Sequence, residues 1–228
     1  YLLFHARDEL VGPEEERSED ASRTRTLGVR WSASAGAVDW RVEAAYQSGE
    51  IRFRTTDPVG WTDYDDVGAY LMAARFGVRP VDALSVSLWY DRLSGDDDPG
   101  DDEYGVFDTL FATNHKFYGY MDLFLDIPRH TARRGLQDGA VKLSYVLGPH
   151  GTLGAALHGF RVASAWGLSS GRIGEELDLS YRWSQVDGVS VAAGLSYFLA
   201  GAAWSDPAGL GRGDDDQLWG HVMLDVTF

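Results

Sequence analysis

The sequence predicts an all-β fold: an antiparallel transmembrane β-barrel with about ten strands. Three observations predict it. Apolar and polar residues alternate with period two in segment after segment, down to the run Leu218 to Phe228, where every second position back from Phe228 is apolar or glycine. The links between these segments are alternately short and long. No stretch of the 228 residues approaches the roughly 20 apolar residues of a membrane-spanning helix, although the hydrophobic fraction is 44%. Eight Trp, 11 Tyr, 10 Phe and 27 Gly suit interfacial aromatic belts and tight turns.

The strand candidates are roughly 1–10, 24–35, 38–55, 63–79, 82–94, 136–147, 151–164, 170–186, 188–204 and 215–228. In 24–35, Leu27, Val29, Trp31 and Ala33 oppose Thr26, Gly28, Arg30 and Ser32. The short turn Ala35-Gly36-Ala37 returns the chain into 38–55, where Val38, Trp40, Val42, Ala44 and Tyr46 oppose Asp39, Arg41, Glu43 and Gln47. Arg79 to Asp82 turns 63–79 into 82–94, in which Leu84, Val86, Leu88 and Tyr90 oppose Ser85, Ser87, Trp89 and Asp91. Gly148 to Gly151 joins 136–147 to 151–164. In 170–186, Leu177, Leu179, Tyr181 and Trp183 oppose Glu176, Asp178, Ser180 and Arg182, and Val186-Asp187-Gly188 leads on to 188–204. The long links are 11–23, 56–62, 95–135, 165–169 and 205–214. Short turns at one end and long loops at the other are the connectivity of outer-membrane barrels. No linker divides the chain, so 1–228 reads as one domain.

Charge assigns the faces. An ionised side chain on the lipid side at mid-membrane costs about 2–4 kcal/mol, so the charged rows belong inside. Lumen candidates are Arg30, Arg41, Arg75, Lys142 and Arg182, set against Asp39, Glu43, Asp91, Glu176, Asp178 and Asp225. Aromatics such as Trp40, Tyr46, Tyr70, Phe76, Tyr90, Trp183 and Tyr197 fall toward strand ends, as interfacial belts do. The net charge of −15 lies mostly in the links and leaves no basic stripe for phosphates, so nucleic acid is not an expected partner. The lipid bilayer and lipopolysaccharide are. With no cysteine, thiolate metal sites and disulfides are excluded, and no motif calls for a cofactor. The chain opens at Tyr1 without Met or a leader, which reads as a processed chain or a fragment.

The 95–135 link is the longest. It opens with the acidic run Asp96 to Glu103 and continues Phe107-Asp108-Thr109-Leu110-Phe111-Ala112-Thr113-Asn114-His115-Lys116-Phe117-Tyr118-Gly119-Tyr120. So many aromatics cannot stand in water, and folding into the lumen buries them. This phrase, with Tyr90-Asp91, Ser94 to Asp96, the cadence Arg172 to Leu179 and the terminal Asp225-x-Thr227-Phe228, resembles the bacterial alginate-export porin family, in its C-terminal part. The resemblance implies an outer-membrane barrel of about eighteen strands, against which ten strands are either a smaller closed barrel or a piece of a larger one. It also implies passive diffusion of a hydrophilic or polyanionic solute such as alginate. The mixed signs of the lumen candidates do not themselves favour an anion.

Competing chemistries attach to the same residues. Strand arginines can form a bidentate ladder for carboxylates or pair with neighbouring acids. His115 and Lys116 can meet a sugar carboxylate while Tyr118 and Tyr120 stack on rings, or the segment can fix itself to the wall. Asp96 to Glu103 has oxygen ligands enough for Ca²⁺ but lacks the spacing of a dedicated loop, and a solvated loop bridging lipopolysaccharide through divalent cations accounts for it. A lipase-type barrel enzyme would draw on His158, His221, Ser180 and Ser196, yet no spacing makes a nucleophile and base of them. A small barrel serving as membrane anchor or adhesin is the remaining alternative, and the expected reading is a non-enzymatic outer-membrane channel.

Overall fold

A computed structural model describes residues 1–7, 20–56, 59–110, 114 and 117–227. Ten strands follow one another along a single sheet path. They are β1 (Leu2–Arg7), β2 (Asp20–Ala35), β3 (Val38–Thr56), β5 (Asp65–Val81), β6 (Leu84–Leu93), β8 (Leu136–Val146), β9 (Thr152–Val162), β10 (Arg172–Val186), β11 (Val189–Ala200) and β12 (Gln217–Val226). Each pairs antiparallel with its sequence neighbour on the path. Two short strands lie off it: β4 (Val59–Trp61) pairs with β3, and β7 (Glu103–Tyr104) lies parallel to β5. The helices that lie wholly within the described residues are single turns, α1 (Ile127–His130), α2 (Ala202–Ser205) and a 3-10 turn at Gly148–His150.

Strand edges differ from the sequence pattern at three places. β2 begins at Asp20, inside the predicted 11–23 link, because Asp20 to Arg23 continue the ladder with Glu50 to Phe53. β5 runs on through Pro80, where the register with β6 shifts between Val78 and Val81. Proline has no N–H to give a ladder, and such an irregularity is where a strand tolerates it. The first strand is described only to Arg7; residues 8–19, which include the end of the predicted 1–10 segment, lie outside the described residues.

The faces fall as the charge argument requires. Leu27, Val29, Trp31, Val42, Leu88, Val141, Leu157, Leu177, Leu179, Leu195 and Val222 are exposed, while Thr26, Gln47, Asp91, Asp138, His158, Glu176, Asp178 and Ser196 are buried. A soluble protein has this the other way round. The sheet curls around its polar rows, since the connection after β6 touches β3, β8 and β10 from within. Among the described residues no ladder joins β1 to β12, the two ends of the path.

Candidate functional site: the interior of the sheet

Because paired residues on neighbouring strands point to the same face, the registers lay the inner side chains out in rows. One row runs Arg30–Glu43–Ala73–Asp91–Asp138 across β2, β3, β5, β6 and β8. The next, nearer the short turns, runs Arg41–Arg75–Trp89–Ala140–His158–Glu176. A third carries Ser87–Lys142–Ala156–Asp178–Ser196. A fourth is Ser144–Gly154–Ser180–Gly194–His221.

Most of the cations are already engaged. Arg30 sits 3.8 Å from Glu43, and Arg75 forms an ion pair with Asp39. Trp89 gathers three cations over its ring: Arg41 at 4.9 Å, Arg75 at 5.4 Å and Lys142 at 4.9 Å from its centroid. Such contacts strengthen when water is excluded. Arg182 is exposed and makes no ion pair among the described residues.

The connection between β6 and β8 packs into this interior. Gln47 of β3 holds it by a reciprocal pair, its Nε2 donating to the Asp108 carbonyl (2.7 Å) and its Oε1 accepting from the Asp108 N–H (2.8 Å). Lys142 Nζ donates to the Phe117 carbonyl at 3.2 Å. Glu176 Oε1 accepts the Met121 N–H at 3.0 Å. Gly119, at φ +85°, lies so close to that carboxylate that a Cβ would strike it, and its conformation is one side chains rarely adopt. Asn114 Nδ2 donates to the carbonyls of Phe124 and Leu125, both at 3.0 Å, and closes the segment on itself.

Toward the long loops the described interior side chains form an apolar core. Phe124 packs on Phe160 with centroids 4.7 Å apart, Phe198 on Trp204 at 4.8 Å, and both pairs join a core with Phe107, Ile127, Leu136 and Ile173. Arg134 donates to the Trp166 and Ala208 carbonyls at 2.5 and 2.6 Å, tying three long connections together. His130 lies under Arg212, and burial first, that guanidinium second, lowers its pKa below the ordinary 6.5.

Of the residues singled out by sequence, Arg41, Arg75 and Lys142 come together on Trp89, Arg30 stands beside Glu43, and Arg182 and Tyr120 border one cavity. Tyr118 corrects its expectation as a stacking platform: it is 4% exposed and packed in the core. His115 and Lys116 lie outside the described residues. The carboxylates of Asp98 and Asp101 cap their own turn, accepting from Gly100 and Glu103 N–H, and no cluster of three metal ligands forms among the described residues. His158 Nδ1 meets Asp138 at 2.9 Å, whereas Ser196 donates to Asp178 at 2.5 Å, so no serine is hydrogen-bonded to that histidine among the described residues. Sequence reading missed Gln47, Glu176 and Trp89 as holding points. Trp89 carried a signal, the lone indole on an otherwise polar face.

No family model and no curated protein matches the chain, so the likeness of 107–124 to alginate-export porins stands on those residues alone. Among solved structures, the chain is similar to a NanC porin in a rhombohedral crystal form: 8% identity, TM-score 0.43, over 92% of this chain and 95% of that one. At that level the likeness assigns neither solute nor partner.

Proposed function

We propose that this chain is an outer-membrane β-barrel forming a passive channel for hydrophilic solutes, with the segment around Phe107 to Phe124 as its constriction. One observation carries the reading: apolar side chains cover the outer face of the sheet while polar and ionisable ones line the inner face. In water that arrangement exposes the apolar surface a fold should hide; in a bilayer each row meets its preferred surroundings. The segregation of short turns from long loops supports the same orientation. Hydrocarbon leaves no backbone group unpaired, so the reading requires the edges of β1 and β12 to pair with each other or with further strands.

An anionic polysaccharide such as alginate is the finer form of the proposal. The inner-face cations Arg30, Arg41, Arg75, Lys142 and Arg182 and the phrase 107–124 favour it; the acids sharing those rows do not. The anchor or adhesin reading has its own support, because the aromatic core fills the long-loop half of the interior.

Planar bilayers separate these. A channel gives discrete conductance steps, deletion of 107–124 enlarges them, and alginate oligomers interrupt them. Absence of steps in both the native chain and the deletion would refute the channel in favour of the anchor.

A further inference from the structure

One inner-face cation stands apart from the ion pairs and ring contacts of the others. Ser180, Arg182, Ala192 and His221, from β10, β11 and β12, line a cavity of about 270 Å³, and Tyr120 of the inserted segment walls it on the other side. Two of its lining side chains lie over glycines of neighbouring strands. A Cβ on Gly194 would collide with the His221 ring, and one on Gly154 with the Ser180 hydroxyl. The His221 ring leans on Trp219, with centroids 4.8 Å apart, and its Nδ1 is shielded from water without a hydrogen-bond partner. Among the inner-face cations singled out above, Arg182 is the one with neither an acid nor a ring against it among the described residues. Of the inner-face acids on the same strand, Asp178 accepts from Ser196 and Glu176 from the Met121 N–H through one oxygen each, the second oxygen of each being buried without a hydrogen-bond partner.

We infer that this cavity is a binding site for the oxyanion group, carboxylate or phosphate, of a small hydrophilic solute. The planar guanidinium of Arg182 offers two parallel donors to such a group, and Ser180 and His221, which line the same cavity, carry a hydroxyl and an imidazole. Tyr120 gives the body of the solute a flat face. The volume suits one sugar-sized ring, being just below the roughly 300 Å³ at which drug-sized pockets begin. The site deepens the channel reading and rests on it, since it places a selective stop on the permeation path.

Binding is measurable without conductance. Equilibrium dialysis of the full chain, refolded in detergent micelles, is carried out with glucose 6-phosphate, gluconate and glucose. Saturable binding of either anion, but not of glucose, is the expected result, and which anion binds identifies the oxyanion. Arg182→Gln weakens it about tenfold or more. Ala192→Leu, which fills the cavity and leaves every charge in place, abolishes it. Arg79→Gln, at a short turn, changes nothing. Heat-modifiable gel mobility reports that each variant is folded. Binding of neither anion, glucose binding as well as the anions, or an Arg182→Gln or Ala192→Leu protein that binds within about twofold of the native chain would overturn the site. A silent bilayer with intact anion binding would instead refute the channel alone.

Discussion

The two halves of the interior are built from strands with the same alternation, yet they differ in kind. Near the long loops the inward positions are Phe160, Phe198, Leu93 and Leu136, closed over by Trp204, Phe124 and Ile127 from the connections. Near the short turns they are Arg75, Trp89, Lys142, Ser180 and Arg182, with a cavity beside the last two. Alternation decides only which face a residue is on. What fills that face depends on whether a loop is long enough to reach back over it. The long connections all spring from one end, so the apolar core gathers there.

This contrast can be broken in order of size. Phe160→Ala opens a cavity in a close-packed core and should lower the unfolding free energy by about 3–5 kcal/mol, read from urea titration in lipid vesicles. Trp89→Ala, in the polar half, should cost less; an equal cost would erase the distinction between the halves. Val141→Arg puts a charge on the outer wall and should cost about 2–4 kcal/mol in the same titration. Lys142→Arg, one residue along but inward, should cost little, and a reversed ranking would mean the faces are misassigned. Gln47→Leu removes both bonds to Asp108 and should cost about 1–3 kcal/mol. If the inserted segment is held chiefly by that side chain, amide protection around Phe107 should fall with it.

The smallest effect is one of pH. His130 binds its proton less readily folded than unfolded, so its contribution to stability is complete above the ordinary 6.5 and is lost as the pH falls through its lowered value. Amides of 126–134 should lose protection across that interval in the native chain and not in His130→Gln. Equal acid sensitivity in both would remove the assignment.

Much of this was legible in the sequence. Alternation in Leu177 to Arg182 gives both faces of β10 because period two is a property of the strand itself. Loop asymmetry gives the two ends of the sheet. The inward course of 95–135 follows from its aromatics, but its fastening does not. Gln47 and Asp108 are 61 residues apart, and nothing local marks a glutamine that will pair with a distant backbone. Glu176 reads as one more acid in a polar row; only the close approach of Gly119 reveals what its carboxylate holds. Arg182 looks like its fellow arginines, and its difference lies wholly in what its neighbours leave open.

Spin-label accessibility at single cysteines, introduced into a chain that has none, measures directly which surroundings each row of side chains meets. Labels at Val141, Leu157, Leu195 and Val222 of the protein in lipid vesicles should relax with dissolved oxygen and ignore a water-soluble nickel chelate. Labels at Ser144, Ser180 and Ser190 should do neither or favour the chelate. The opposite pattern, with the aliphatic positions open to the chelate and the serines bathed in lipid, would contradict the account at its root.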